Sequence, residues 1–423
     1  MRLACLFLIA VLACRAASPG PSASDIDRLY PGIEALYIDL HSNPELAFEE
    51  KRTAANLADR LNTLGYEVTT GVGGTGVVGL LKNGAGPVVM LRTELDALPV
   101  TEQTGLPFSS KKAGVMHACG HDIHMAAWTG TAQWMSEHRE RWHGTLMLIG
   151  QPAEEAGEGA SAMLKDGLFV RFPKPGFAIA LHDDDSLPAG QIGYHAGYFR
   201  AAADFPTVTI FGRGGHGAMP QNTVDPVVIA ARTILAWQTI VSREIDPRSP
   251  AVITVGAIHG GTKNNIIPDQ VQLLLSVRTF DPQVRKHVLE AIARIAKGEA
   301  AAAGAPREPL IEPTPGMPGD EAVYNDPDLT NRLAAALEKG MGTGSVVEMP
   351  AKMTSEDFCE YGRAGVKAVL LHIGAVDPEK LAESRRTGIP VPAPHSPQWA
   401  PVMEATLKGA VQAETIALLD LLN

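Results

Sequence analysis

The order of strand-like and helix-like stretches is the feature of this sequence that most constrains its fold. Up to residue 200, β-branched runs such as Val88–Leu95 alternate with stretches of helical spacing such as His121–His138. The alternation resumes beyond residue 312 and ends in a helical stretch at Val402–Leu422. Strands that alternate with helices form a sheet covered by helices on both faces. The sequence therefore predicts an α/β domain made of two separated pieces of chain, 24–200 and 312–423.

Residues 201–311 follow a different order of elements. In this region the predicted strands are Phe205–Phe211, Ala251–His259, Val271–Phe280 and Glu308–Pro313, and the predicted helices are Thr223–Glu244 and Pro282–Ala303. The resulting order, β-α-β-β-α-β, is that of a ferredoxin-like α+β unit. We therefore predict that this unit is inserted into the α/β domain as a smaller lid domain.

The first 23 residues fit neither pattern. Leu3–Ala13 is an apolar run with the length of a signal peptide, and it is too short to span a bilayer as a mature helix. Small residues near Ala16 suit cleavage, whereas the sequence VLAC ending at Cys14 suits the lipidation box of a bacterial lipoprotein. A disordered cytoplasmic extension is the remaining alternative. We predict export, to the periplasm or the medium, with a lipid anchor if Cys14 is modified.

Cysteine content and charge exclude two other classes of protein. Beyond the predicted signal the chain has only Cys119 and Cys359, which is not a disulfide framework. The net charge of −11 argues against a nucleic-acid partner. A small anionic substrate is compatible with this charge, because metal ions and a local arginine supply positive charge at a binding site.

Residue types that bind metals occur where strands of the predicted sheet end, and at starts of helices. They are Cys119 and His121 at the start of a helix, Glu154 and Glu155 after the strand Gly144–Gln151, His182 after the strand Ala178–Leu181, and His395 before the last helix. Loops at the carboxyl ends of strands converge on one edge of an α/β sheet. Imidazole, thiolate and carboxylate together suit borderline divalent ions.

Five protein ligands exceed what one tetrahedral ion takes, so two ions fit this set better. Two ions about 3.5–4 Å apart can hold a hydroxide and polarise a scissile carbonyl. One carboxylate of the Glu154-Glu155 pair would then stay free to act as a general base. The pattern predicts a hydrolase with two divalent ions, and Zn, Mn, Co and Ni all remain possible.

Several distinctive sequence blocks follow one another along the chain. They are LRTELDALP at 91–99, CGHD at 119–122, QPAEE at 151–155, GGHGAMP at 214–220, NIIPD at 265–269 and SEDF at 355–358. In these blocks the chain resembles the metallopeptidase-type amidohydrolases. The resemblance runs from about residue 25 to 420 and includes all of them. That family includes aminoacylases, hippurate hydrolases and indole-acetic-acid amino-acid conjugate hydrolases.

The resemblance implies a role for each residue of the predicted centre. The implied ligands of two metal ions are Cys119, His121, Glu155, His182 and His395, in a branch that has Cys where relatives have Asp. Glu154 would take a proton from water and pass it to the leaving amine. Asp96 and Asp122 would orient the ligands, as partners of metal-binding side chains usually do.

The same resemblance implies site residues in the inserted unit. His216 and Asn265 would hold the oxyanion, and Arg278 would hold the substrate carboxylate, a task that suits a planar bidentate donor. In relatives this unit is also the dimer interface, and its histidine reaches the neighbouring subunit's metal site. A free strand edge invites such pairing, and two-fold symmetry closes it. We therefore predict a homodimer in which His216 completes the partner's oxyanion site.

Two positions depart from the family pattern. Glu94 stands where relatives usually have Asp, and we expect no ligand role for this longer side chain. Asp183-Asp184-Asp185 follow His182 where relatives commonly have apolar residues and Pro. The simpler expectation for these residues is an ordinary solvated acidic loop, and the alternative is an acidic rim beside the site that favours cationic or less anionic substrates.

The predicted reaction is hydrolysis of the amide bond of a small N-acyl amino acid, giving a carboxylic acid and an amino acid. A metallo-carboxypeptidase or dipeptidase using the same centre is the alternative within enzymes. A non-catalytic binding protein with this fold would be expected to lack Glu154, Glu155 or a histidine ligand, and all of them are present.

Overall fold

A computed structural model describes residues 20–317 and 319–423. The predicted signal sequence and Cys14 lie outside the described residues, so export and lipidation stay predictions. Within the described ranges, none of the helices combines the length and apolar character needed to cross a membrane. Both described cysteines, Cys119 and Cys359, are buried and free.

The first part of the chain alternates helices and strands as predicted. Its elements are α1 (Ala23–Ser42), α2 (Lys51–Thr63), β1 (Glu67–Val72), β2 (Gly76–Asn83), β3 (Val88–Glu94), α3 (His121–Glu137), β4 (Gly144–Gln151), α4 (Gly159–Lys165), α5 (Leu168–Arg171), β5 (Phe177–Pro188), β6 (Ile192–Tyr194) and β7 (Gly197–Arg200). A capping box between Ser22 and Asp25 starts α1. The sequence did not predict β1, because this largely exposed strand lacks an apolar face.

The middle of the chain forms a second, antiparallel sheet. The elements there are β8 (Ala202–Asp204), β9 (Pro206–Phe211), β10 (Gly215–His216), α6 (Pro226–Thr239) with a π turn at Ile240–Glu244, β11 (Ala251–His259), β12 (Ile266–Ile267), β13 (Gln270–Thr279), α7 (Pro282–Ala302) and β14 (Leu310–Pro313). The strand order is β11-β13-β9-β14, and β11 is an edge strand. Both helices begin at an Asp-Pro step, where Asp225 or Asp281 caps the first turn.

This second sheet has an apolar core of its own, in which α6 and α7 pack through residues such as Trp237 and Ile292. The predicted order of strands and helices is present, although α6 is shorter than the predicted Thr223–Glu244. The proposed domain boundaries and the lid or dimerisation role stay predictions.

The last part of the chain returns to the first sheet. It contributes β15 (Val323–Asn325), α8 (Pro327–Met341), β16 (Val346–Glu348), α9 (Cys359–Arg363), β17 (Lys367–Val376), α10 (Pro378–Thr387) and α11 (Met403–Leu421). The first sheet runs β1-β2-β4-β3-β5-β17-β6-β16, so the strand β17 lies beside β5 from the first part.

Helices cover both faces of the first sheet, which confirms the predicted α/β class. On β3, Val89 and Leu91 pack into one apolar cluster and Met90 into another. That alternation is the two-residue period of a strand buried on both sides. The first cluster contains Trp128 of α3, and the second contains Met163 of α4.

Parallel strands at the centre of this sheet bring the predicted site residues to one edge. The strand β3 is parallel to both β4 and β5, and β17 is parallel to β5. The predicted end of the strand before His182 is wrong. The strand β5 continues to Pro188, because Asp183 and Asp184 pair with Ile373 and Gly374 of β17.

Candidate metal centre

A glycine fixes the position of the first two candidate ligands, Cys119 and His121. Gly120 between them has φ 75°, and a Cβ there would lie 2.1 Å from Oδ2 of Asp183. No other residue fits this close approach of the loop to β5. The CGHD block thereby presses against the strand that carries His182.

Strained backbone occurs at two further places that carry candidate site residues. Ala153, just before Glu154 and Glu155, has φ 50°, and His395 has φ 71°. A non-glycine residue in this region costs about 1–3 kcal/mol and persists where its surroundings hold it in place. Here the amide of Ala153 donates to Glu50, and that of His395 donates to the carbonyl of Ala118 at 2.7 Å.

The five candidate ligands converge on one cluster. Sγ of Cys119 lies 3.5 Å from Nε2 of His182. Nε2 of His395 lies 3.5 Å from Oε2 of Glu155, and Nε2 of His121 lies 4.0 Å from its Oε1. Cys119 forms one group with His121 and His182 and another with Glu155 and His395, and in each group all ligand atoms lie within 4.8 Å of one another. The same holds for His121, Glu154 and Glu155. Cys119 therefore stands where it could serve either of two ions.

The hydrogen bonds around the cluster fit metal binding. Nδ1 of His121 donates to the carbonyl of Asp96, and Nδ1 of His182 donates to the carbonyl of Asp183, each at 2.8 Å. Both rings therefore present Nε2 as the lone-pair atom, as metal-binding histidines do. Nε2 of His121 and Oε1 of Glu155 are buried without a hydrogen-bond partner among the described residues. Such orphaned atoms are costly unless a cation satisfies them.

The acidic groups of the cluster also require a cation. Burial raises the pKa of the Cys119 thiol well above its ordinary 9.0, and Glu155 and Asp183 raise it further. Burial raises the pKa of Glu155 to about 7. A thiolate and a carboxylate side by side are stable here when positive charge is bound between them. The residues present therefore fit a pair of divalent ions.

Glu154 differs from Glu155 in its surroundings. Its Oε2 lies 3.7 Å from Nε2 of His121, and burial raises its pKa well above 4.5, with Glu356 and Glu155 raising it further. A carboxyl with a raised pKa beside a metal cluster can accept and return a proton near neutral pH. Both carboxylates of the pair lie within 4.0 Å of Nε2 of His121, and Glu155 also lies 3.5 Å from Nε2 of His395. The roles of Glu155 as a ligand and of Glu154 as the acid–base group stay predictions.

Comparisons with known proteins agree with this geometry. The sequence model of peptidase family M20/M25/M40 matches residues 90–386. The chain belongs to this family. It is 41% identical to hippurate hydrolase of Campylobacter jejuni over 274 residues, which are 64% of this chain and 70% of that protein. It is 37% identical to N-acetyl-L-cysteine deacetylase of Bacillus subtilis over 323 residues, 76% of this chain and 75% of that protein.

A solved structure has the same fold over nearly the whole chain. The YXEP protein of Bacillus subtilis, a dinuclear metal binding peptidase from the M20 family, superposes with a TM-score of 0.78 at 29% identity. The match covers 94% of this chain and 99% of that one. These likenesses establish a metal-dependent amidohydrolase of the M20 family and support a pair of metal ions.

Of the residues predicted to orient the ligands, Asp96 lies at the cluster and Asp122 does not touch it. Oδ2 of Asp96 accepts from the amide of Glu155 at 2.9 Å. The carboxylate of Asp122 instead accepts from Nδ1 of His41 at 2.6 Å and from the amide of Ile123. The sequence pattern indicates for His41 only a surface or packing residue, because its partner Asp122 lies 81 residues away along the chain.

The residues predicted in the inserted unit separate into two places. Arg278 lines a cavity of about 600 Å³ that also contains Glu154, Glu155 and His395. His216 and Asn265 are exposed and lie beside each other, where the amide of Gly217 donates to the carbonyl of Asn265 at 2.9 Å. Neither lines the cavity of its own chain.

The expected acidic loop or rim is wrong for two of its three residues. Asp183 and Asp184 are each 1% exposed. Asp183 accepts from the indole of Trp399 at 2.9 Å, and Asp184 lies 2.6 Å from Nζ of Lys352. Since the strand β5 continues through them, both side chains are buried. The charge of Asp184 is paired with Lys352, whereas Asp183 is bound by a neutral indole donor. Asp185 alone keeps a partly exposed carboxylate at the cavity.

Sequence reasoning also missed two buried networks behind the cluster. His124, one turn along α3 from His121, donates to Glu94 at 2.9 Å and accepts from the amide of Asp183. Glu94 also accepts from Arg92. Arg92 further binds Glu356 and Asp357 of the SEDF block. Two features of the sequence could have indicated these networks. They are the helical spacing between His121 and His124, and the SEDF block at 355–358.

Proposed function

We propose that this protein hydrolyses the amide bond of small N-acyl amino acids with two divalent metal ions, chosen from Zn, Mn, Co and Ni. One observation carries the proposal. Cys119 belongs to two of the candidate ligand groups, and Glu154 stands at the same cluster with its Oε2 3.7 Å from Nε2 of His121. A centre of that composition, at the wall of a cavity of about 600 Å³, suits hydrolysis of a small acyl compound.

Each residue has a defined part in the reaction. When bound, the two ions supply Lewis acidity at the scissile carbonyl and lower the pKa of water. Glu154 accepts a proton as the water oxygen attacks the carbonyl carbon. It then passes that proton to the amide nitrogen as the C–N bond breaks, which leaves a carboxylic acid and an amino acid.

Arg278 is placed to orient the substrate. Its Nη1 donates to Oγ of Ser355 at 3.1 Å, and its guanidinium lies 5.2 Å from the ring centre of Phe205. Among the described residues no carboxylate lies within 4.0 Å of it. It therefore remains available for the α-carboxylate of the substrate.

The oxyanion residues require a second subunit in this proposal. His216 and Asn265 are exposed and away from the cavity of their own chain. The edge strand β11 exposes Ile258, and α6 exposes Leu235 and Val228. An unpaired edge and exposed apolar side chains favour association of two copies. A homodimer would carry His216 of each chain to the cavity of the other.

The decisive experiment combines metal removal with a substrate panel. Hippurate, other N-acyl amino acids and dipeptides are assayed with the purified protein, after chelation and after addition of each candidate ion. We expect hydrolysis of N-acyl amino acids that chelation abolishes and a divalent ion restores. Full activity in metal-free protein would disprove the proposal, and activity confined to dipeptides would favour the peptidase alternative.

We also propose that the protein is exported, on the basis of the apolar run before Cys14. Mass analysis of the N-terminus from cell fractions tests it. A cleaved chain or an acylated Cys14 supports export, and an intact N-terminus in the cytoplasm contradicts it.

A further inference from the structure

Arg200, at the end of β7, lines the same cavity as Arg278 and is only 6% exposed. Its guanidinium has two neutral partners. Nη1 donates to Oγ1 of Thr354 at 2.8 Å, and Nη2 lies 3.1 Å from Nε2 of His372. The opposite nitrogen of His372 donates to Asp184, which makes Nε2 the acceptor for Arg200. The arginine is thus held in a fixed orientation by uncharged groups.

No carboxylate of the described residues lies within 4.0 Å of Arg200. Arg92, the other buried arginine among the described residues, contacts three carboxylates. A buried charge without a partner is costly, so such a group marks a place where an anion binds.

The neighbouring acidic residues are already engaged. Asp184 lies 2.6 Å from Nζ of Lys352, and Asp185 lies 3.4 Å from the same atom. Asp183 is bound to Trp399 and lies 3.1 Å from Nδ1 of His182. Arg200 is therefore a positive group at the cavity wall that no carboxylate of the described residues contacts.

The position of Arg200 places that anion close to the reacting amide. The ring of His372, which Arg200 contacts, lies 5.9 Å from the ring of the candidate ligand His182. Arginine carries more N–H bonds than Thr354 and His372 use, and a carboxylate matches the fork of its free donors. Arg278 offers a second, separate donor in the same cavity.

We propose that Arg200 binds a second carboxylate of the substrate, so that the protein prefers dicarboxylic N-acyl amino acids. This inference rests on the proposed function. The second carboxylate belongs either to the amino-acid side chain, as in N-acyl glutamate, or to the acyl group, as in N-succinyl amino acids. Both have the same chemistry at Arg200.

The test compares substrates that differ only in this carboxylate. N-acetyl-L-glutamate is assayed against N-acetyl-L-glutamine, and N-succinyl-L-alanine against its succinamide counterpart. We expect kcat/KM to favour the carboxylate about 10- to 100-fold in one of the two pairs, the strength of a charge-assisted contact. The pair that shows the preference identifies which part of the substrate carries the group.

Arg200→Gln should bring the ratio of kcat/KM for carboxylate and amide substrate in that pair close to one, and circular dichroism checks that the variant is folded. Arg200→Lys should restore part of the preference. Arg332→Gln is the matched control, because Arg332 is a half-exposed arginine paired with Asp420 on the surface. It should leave both ratios unchanged.

Binding to the Glu154→Gln variant by titration calorimetry gives a second readout without turnover. The affinity difference between carboxylate and amide should disappear when Arg200→Gln is added. Equal losses on both members of each pair would overturn the inference, because Arg200 would then bind a group that all substrates share. A wild type without preference in either pair would also overturn it. A wild type that hydrolyses neither these compounds nor hippurate nor any other N-acyl amino acid of the panel refutes the proposed function instead, and the calorimetry still decides the role of Arg200.

Discussion

A buried carboxyl group away from the cavity gives a quantitative prediction about stability. Glu414 on α11 is 4% exposed, and its Oε2 accepts from Oγ1 of Thr131 on α3 at 2.6 Å. Burial raises the pKa of Glu414 from 4.5 to about 8. The folded protein therefore holds this group protonated at pH 7, whereas the unfolded chain ionises it.

The sign of the effect follows from that difference. Because the folded pKa is the higher one, the contribution of Glu414 to stability is complete below pH 4.5 and is lost as the pH rises to about 8. Each pH unit in this window lowers the free energy of unfolding by about 1.4 kcal/mol. Glu414→Gln cannot ionise and escapes this loss. Its advantage over the wild type should grow from about 1 kcal/mol at pH 5.5 to about 5 kcal/mol at pH 8.5.

Urea denaturation followed by circular dichroism, at several pH values and one fixed metal concentration, measures the difference between the two proteins. Effects of pH on metal binding are common to both and cancel. Glu404→Gln, on the same helix with its side chain 62% exposed, is the surface control with which the slope for Glu414→Gln is compared. A difference between Glu414→Gln and the wild type that stays flat with pH would refute the reasoning, whatever its size.

Two other predictions concern the catalytic centre. Glu154→Gln should keep its metal and lose roughly 10²–10⁴ in kcat, the usual contribution of a positioned acid–base group, whereas Glu155→Gln should lose metal; elemental analysis showing the reverse would exchange the two roles. His216→Ala and Glu154→Gln, each nearly inactive alone, should regain activity when co-refolded, because a mixed dimer contains one intact shared site. Mixed dimers without activity, or a wild type that is active while sedimenting as a monomer, would exclude sharing.

Much of the fold could be predicted from local pattern. The strand Ala251–His259 has the predicted bounds, and the helix predicted at His121–His138 ends one residue earlier. Such elements are specified by the period of their apolar residues and by capping residues within the same stretch. The strand Glu67–Val72 was missed because it is held by pairing with β2, which its own largely exposed sequence does not reveal.

The metal-binding residue types were also predictable, since Cys119, His121 and Glu155 stand in recognisable blocks. Those blocks do not contain the residues with which the site residues form hydrogen bonds and ion pairs. Asp122 binds His41, and Asp184 binds Lys352 and His372. Each partner comes from a different part of the chain, so no local spacing predicts the contact.

The sequence by itself determined the class of fold and the chemistry of the ligands, because strand and helix periods and side-chain types are local properties. The tertiary structure decided which charges are neutralised. It buried Asp183 and Asp184, left Arg200 without a carboxylate within 4.0 Å among the described residues, and kept His216 outside its own cavity. Burial and pairing depend on elements that meet only after folding, and they set the free energy of a charge in this site.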